Sequence, residues 1–136
     1  MKIIMKKFIL SCFLIVCILL SACAEKRANV YTTLRKIDVS THYTAFHIMV
    51  PSGLPSPARY TEEYPEEYAT VYALGRKSVP YILDYVEEAQ ISSFNAMFFV
   101  CCCYGMLDLD EWLTHLPLSD VEAHISALRQ YYKKAT

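Results

Sequence analysis

The chain has 136 residues, 54% of them hydrophobic, and its 13 basic and 14 acidic side chains give a formal net charge of −1. This length suits one small domain. With only three glycines, the sequence argues against loops that cradle phosphate groups, and it contains no P-loop or nucleophile-elbow motif.

The first 20 residues have the pattern of a secretory leader. Lys2, Lys6 and Lys7 form a cationic start, and an apolar run over residues 8–20 follows them. This run is shorter than the roughly 20 residues that a membrane-spanning helix needs. The pattern therefore favours a leader that is removed over an anchor that is retained.

The leader ends in Leu20-Ser21-Ala22-Cys23, an aliphatic residue, two small residues and a cysteine. This stretch resembles the lipobox of bacterial lipoproteins. The resemblance implies that residues 1–22 are a signal peptide, that cleavage falls between Ala22 and Cys23, and that the Cys23 thiol receives acyl chains such as palmitate. Two or three acyl chains hold a protein stably on a membrane, because each buried methylene contributes about 0.8 kcal/mol. The alternative is an ordinary secreted protein with a chance cysteine after its leader.

The same resemblance implies a location on the extracytoplasmic face of the cell membrane, anchored by lipid. Residue 24 is alanine rather than aspartate. In a bacterium with two membranes, the resemblance implies that this residue permits sorting to the outer membrane.

Removal of the leader changes both the charge and the thiol content of the chain. Three lysines leave with it, so ten basic and 14 acidic side chains remain, a net charge of −4. This excess of acidic side chains argues against nucleic acid as a partner and against binding of basic residues to anionic membrane lipids. The acyl chains on Cys23 are therefore the predicted membrane contact. Only the cysteines at 101–103 remain as free thiols, too few and too close together for a disulfide framework.

Residues 23–60 form a lipidated N-terminus and a segment with weak signals. Val30, Leu34 and Ile37 have the spacing of a short amphipathic helix. Residues 42–50 fit either a strand or a second helix. Residues 51–57 have the composition of a loop.

Residues 61–136 are predicted to form a helical domain. Pro65 and Gly75 mark the start and the end of a first helix, whose inner stripe is Tyr64, Tyr68, Val71 and Tyr72. Ser78 is predicted to cap a second helix with Pro80 in its first turn. The apolar face of this helix has the spacing of Val79, Ile82, Leu83 and Val86.

Three further helical segments follow. Residues 92–107 are apolar on all sides from Ala96 onward, which predicts a buried central helix. Residues 108–117 predict a short amphipathic turn around Trp112. Ser119 and Glu122 match a capping box that begins the last helix, with an apolar stripe at Val121, Ile125, Leu128 and Tyr132.

These segments predict an all-α fold, a bundle or stack of four to five short antiparallel helices around the central one. The stretch "ALGRKSVPYILDYVEEA" resembles a HEAT-type helical hairpin over about residues 65–90. No second copy follows at the expected period, so the resemblance implies helix pairing and no solenoid.

Three adjacent cysteines, Cys101, Cys102 and Cys103, lie inside the predicted central helix. Successive helical residues point about 100° apart, so their sulfurs do not converge on one metal. Apolar neighbours raise a thiol pKa instead of lowering it. The pattern favours core packing; a redox or metal site and a strained bridge between neighbours are the alternatives.

The stretch "YTEEYPEEY" combines acids with tyrosines, which are enriched at protein interfaces. If it is exposed, it is the best candidate contact surface, formed by Tyr60, Tyr64, Glu66, Glu67 and Tyr68. The alternative is a helix start with tyrosines at the edge of the core. The four histidines, His42, His47, His115 and His124, have no metal-binding spacing and are predicted at the surface or at helix caps.

The function that these features favour is a small membrane-anchored lipoprotein without catalytic activity, which binds a protein partner or a small ligand at the cell envelope. No cofactor, metal or catalytic residue is predicted. One alternative is an envelope thiol-redox or metal-dependent protein that uses Cys101–Cys103. Another is an immunity or inhibitor-type protein, which agrees with the size and acidity of the chain.

Overall fold

The computed structural model describes residues 1–39, 62–109, 116 and 120–135, and no strand occurs among them. Among these described residues there are five α-helices, α1 (Lys2–Arg35), α2 (Pro65–Tyr72), α3 (Val79–Glu88), α4 (Ser93–Met106) and α5 (Val121–Ala135), with a 3₁₀ turn at Arg76–Ser78. The predicted all-α fold is confirmed. The predictions for residues 42–50, 51–57 and the turn around Trp112 lie outside the described residues.

Helix α4 is the centre of the domain, as predicted. The Ser92 hydroxyl caps it by accepting a hydrogen bond from the Asn95 N–H at 3.2 Å. Every residue from Ala96 to Tyr104 is buried, because α2, α3 and α5 all pack against this helix. A helix that is apolar on every side is stable in water only when other elements cover it.

The α2–α3 hairpin agrees with its sequence signals in most positions. Pro65 occupies the first turn of α2, and Gly75 has a φ of 82°, the left-handed conformation that glycine adopts without strain. All four predicted apolar residues of α3 are buried. Ser78 does not cap α3 as predicted: its hydroxyl donates to the Leu74 carbonyl at 2.7 Å, because the 3₁₀ turn brings that carbonyl within reach.

The inner stripe of α2 is narrower than predicted. Tyr64 and Val71 are buried and Tyr68 is half-buried, but Tyr72 is 49% exposed. Tyr72 follows Val71 directly, so it points about 100° away from the buried face and stacks instead on the Tyr68 ring at 5.9 Å.

Helix α1 is longer than predicted, because the leader and the following amphipathic segment form one continuous helix of 34 residues. Val30 and Leu34 are each 1% exposed, so the predicted apolar face is confirmed; Ile37 lies past the helix end and is half-buried. Beyond the helix, the Asn95 amide accepts from the Val39 N–H and donates to Asp38, which ties this segment to the start of α4.

The Asp120 carboxylate caps α5 by accepting a hydrogen bond from the Ala123 N–H at 3.0 Å. The predicted capping box between Ser119 and Glu122 stays a prediction, because Ser119 lies outside the described residues. Ile125 and Leu128 are buried as predicted, with Val121 and Tyr132 half-buried.

Candidate functional site

The four residues that resemble a lipobox lie in the middle of α1 and are all exposed. The helix around them is unburied and apolar, and its length and composition are sufficient to cross a membrane, a property that signal sequences share. Past Cys23 the helix enters the domain. Cys23 is therefore located where the helix changes from an unpacked segment to a packed one.

The helix segment after Cys23 is held against α3 by polar and aromatic contacts. Arg27 forms an ion pair with Glu88, and the Tyr31 hydroxyl donates to the same carboxylate at 2.9 Å. These hydrogen bonds, first from Tyr31 and then from Arg27, lower the pKa of Glu88. The Tyr31 ring meets Tyr85 edge to face at 5.1 Å. Residues 23–35 are thus part of the folded domain.

The Cys23 thiol has a defined neighbour in this arrangement. It interacts with the hydroxyl of Tyr81, in the first turn of α3, and Tyr132 of α5 lines a groove with Pro80, the residue before Tyr81. Burial, and then the contact with Cys23, raises the pKa of Tyr81. The acylation site implied by the resemblance therefore lies directly against the surface of the domain.

The three adjacent cysteines are fully buried in α4, each with no exposed surface. Burial raises the pKa of Cys102 and of Cys103 well above the ordinary thiol value, since a thiolate loses its hydration in an apolar environment. Within the described residues, no group of three histidine, cysteine or acidic side chains could hold a metal ion. These positions agree with packing as small apolar side chains.

A buried histidine was missed by the sequence analysis. His124 has no exposed surface, and its Nδ1 lies 2.9 Å from the Tyr104 hydroxyl oxygen. The prediction that it lies at the surface or at a cap is wrong. The burial of His124 could have been predicted from the sequence, because this residue lies three positions after Val121 and four before Leu128, on the apolar face of α5.

The tyrosines of the acidic stretch are directed mostly toward the core. Tyr64 is 6% exposed and meets the Phe98 ring edge to face at 6.2 Å, so it is not available to a partner. Tyr68 is half-buried, with its hydroxyl against the α-carbon of Gly105, where a larger residue would collide with it. Tyr60 lies outside the described residues. The core-edge interpretation of the two described tyrosines agrees with these positions.

The acids of the same stretch lie on the outer side, at a cleft between α1 and α2. This acidic cleft has a volume of about 420 Å³ and is lined by Thr33, Lys36, Ile37, Glu66, Glu67 and Thr70. Its two carboxylates outnumber its one ammonium group. Both threonine hydroxyls already donate to helix carbonyls, Thr33 to Asn29 and Thr70 to Glu66. The cleft therefore presents net negative charge to a ligand.

No known family matches the chain, and neither a curated protein nor a solved structure matches it.

Proposed function

We propose that this chain is a bacterial lipoprotein, anchored through Cys23 on the extracytoplasmic face of the cell membrane, whose helical domain binds a protein partner without catalysing a reaction. The acidic cleft is the partner surface in this proposal. Its negative charge suits a partner that offers a basic side chain.

The observation that supports anchoring most strongly is the position of Cys23 in α1. The residues before it are unpacked and apolar, and the segment after it is held by Arg27, Tyr31 and Val30. A cut at this point would remove a segment that contributes no buried surface to the domain and would leave the packed segment intact. The lipobox resemblance places the cut at the same residue.

The thiol-redox alternative is disfavoured by the burial of Cys101–Cys103. A reactive cysteine needs access to solvent and a lowered pKa, and the buried run has neither property. The acidic cleft, in contrast, is open to solvent and has charged groups at its edge.

Anchoring is tested by the substitution Cys23→Ser, with intact mass as the readout. We expect the wild-type chain to lose residues 1–22 and to gain the mass of its acyl chains, because the thiol is the group that is acylated. The variant should remain at the uncleaved mass of 15.6 kDa. Mass is the deciding measurement, since an uncleaved α1 is long and apolar enough to retain the variant in the membrane fraction.

The matched control is Cys17→Ser, on the same helix six positions earlier. This variant should be processed and acylated like the wild-type chain. A wild-type protein without acyl mass would refute the lipid anchor, and an uncleaved but membrane-bound wild-type chain would instead establish a retained helical anchor.

Partner binding is tested by capture from native envelope extracts with the double variant Glu66→Gln, Glu67→Gln. We expect the variant to bind the captured protein about tenfold or more weakly, since hydrogen bonds to charged groups contribute roughly 1.5–3 kcal/mol. Glutamine keeps the size of each side chain and removes only the charge.

The matched control for this experiment is Glu62→Gln, Glu63→Gln, which removes the same charge from two exposed neighbours that do not line the cleft. Binding should survive in this control. Equal losses in the two double variants would show that net charge, and not the acidic cleft, governs capture.

A further inference from the structure

Cys23, in the middle of α1, is joined to the domain without a flexible tether. The helix runs unbroken through Cys23 to Arg35, and Val30 on it is buried. The seven positions from Cys23 to Val30 span about 10 Å at the α-helical rise. The bilayer surface therefore lies within about that distance of the core, both for a lipid on Cys23 and for a retained helix before it.

Two tyrosines lie on the domain surface at this point. The Tyr81 hydroxyl interacts with the Cys23 thiol, and Tyr132 lines one groove with Pro80, the residue before Tyr81. Both side chains are half-buried. Tyrosine is enriched at the boundary between membrane and water, because its ring is apolar and its hydroxyl remains hydrated.

Two lysines extend the same surface. Lys133 and Lys134 are exposed in the last turn of α5, directly after Tyr132. Lys133 and Pro80 line one groove of about 380 Å³ between α3 and α5, which places Lys133 at the Tyr81 end of α3. A lysine near an anionic membrane surface contributes about 1 kcal/mol of attraction.

The acidic cleft lies toward the other end of the packed helix. Thr33 and Lys36, which line it, follow Cys23 by ten and 13 positions, about 15 to 20 Å along the helix axis. The two carboxylates of the acidic cleft are thus separated from Cys23, whereas Lys133 lies at the Tyr81 end of α3. Acids closer to Cys23 include Glu25 and Glu88, and Glu88 is paired with Arg27.

We propose that the domain lies on the bilayer with one fixed face, formed by Cys23, Tyr81, Tyr132, Lys133 and Lys134, against anionic phospholipid headgroups. The acidic cleft then faces away from the membrane, toward a partner. This inference rests on the membrane anchoring proposed above and adds the orientation of the domain to it.

Depth-dependent fluorescence quenching tests this orientation with the full chain, purified from bacterial membranes and reconstituted into vesicles of brominated phosphatidylcholine and phosphatidylglycerol. The only native tryptophan is first removed by Trp112→Phe. One variant then receives Tyr132→Trp, at the proposed membrane face, and a matched variant receives Thr70→Trp, at the acidic cleft. The indole at position 132 should lose most of its emission, and the indole at position 70 should retain it.

Removal of the cationic charge provides a second measurement. Lys133→Gln with Lys134→Gln, added to the Tyr132→Trp chain, should lower the ratio of docked to undocked domains roughly 30-fold, the change that corresponds to two lysines at about 1 kcal/mol each, and should restore emission. Flotation of the vesicles separates the two proposals. Equal quenching at both positions, or none at position 132 in a chain that floats with the vesicles, refutes the orientation alone, whereas a chain that does not float refutes the anchoring as well.

Discussion

In the native domain, Cys101, Cys102 and Cys103 will react with a thiol reagent at least about a thousandfold more slowly than in the unfolded chain, since a typical domain opens at a cost of about 5 kcal/mol or more. Each side chain is fully buried, so the reagent reaches it only after α4 has separated from its neighbours. Burial also raises the pKa of Cys102 and Cys103, which suppresses the thiolate that reacts.

The measurement is reagent labelling at neutral pH, with the three thiols counted by mass. A chain that begins at residue 24 is suitable, because it lacks the three earlier cysteines and retains nearly all of the packed part of α1. Ser126→Cys, at an exposed position of α5, is the positive control and should react at once in the native protein. Rapid stoichiometric labelling of any of the three native thiols would overturn the packing interpretation and revive the redox alternative.

Phe98→Ala is expected to destabilise the domain by about 3–5 kcal/mol, because the change removes a large buried side chain and leaves a cavity that α4 cannot close. Phe98 has no exposed surface, and its ring contacts those of Tyr64 and Phe99, with centroids 6.2 and 5.7 Å away. Domains of this size are stable by only about 5–15 kcal/mol. The free energy of unfolding should be measured by urea denaturation with the same chain beginning at residue 24.

Tyr72→Ala is the matched control for this change. It also removes an aromatic ring, but from a side chain that is 49% exposed and stacks on Tyr68. The loss of stability should be about 0.5–1.5 kcal/mol, the usual range for an aromatic pair. Similar losses in the two variants would show that α4 is not the centre of the core.

The helical fold was largely readable from local patterns. The apolar residues of α3 at helical spacing and the unbroken apolar run of α4 each appear in the structure at the predicted positions. These signals are local, because helix periodicity and capping depend on residues within one or two turns of each other. The prediction for Ser78 was wrong because its hydroxyl donates instead to the Leu74 carbonyl, which the 3₁₀ turn brings within reach.

The long-range contacts could not be predicted from local sequence patterns. Arg27 and Glu88 are 61 positions apart, and Tyr31 joins the same carboxylate. Each of these residues, taken alone in the sequence, is an ordinary polar side chain of an amphipathic helix. Their pairing depends on how α1 crosses α3, which no local pattern specifies.

The candidate surfaces also depended partly on local sequence patterns and partly on how the helices pack. The acidic residues around Glu66 were predicted as a contact surface together with Tyr64. In the structure, α2 is oriented so that Glu66 is exposed and Tyr64, just before the helix, is buried. Lys36 and Thr33 joined the cleft only because α1 ends beside α2. The negative net charge gave no indication that Lys133 lies at the Tyr81 end of α3, because the net charge of a chain has no spatial information.

The helices, the buried position of α4 and the resemblance of residues 20–23 to a lipobox could be derived from the sequence, because helix periodicity, burial of a fully apolar helix and a short motif each depend on residues within a few turns. The interaction of Cys23 with Tyr81, the place of Tyr64 in the core and the separation of the acidic cleft from Cys23 required the tertiary structure. Those facts depend on how separate helices pack, and packing is set by the shapes of whole faces rather than by the identity of any single residue.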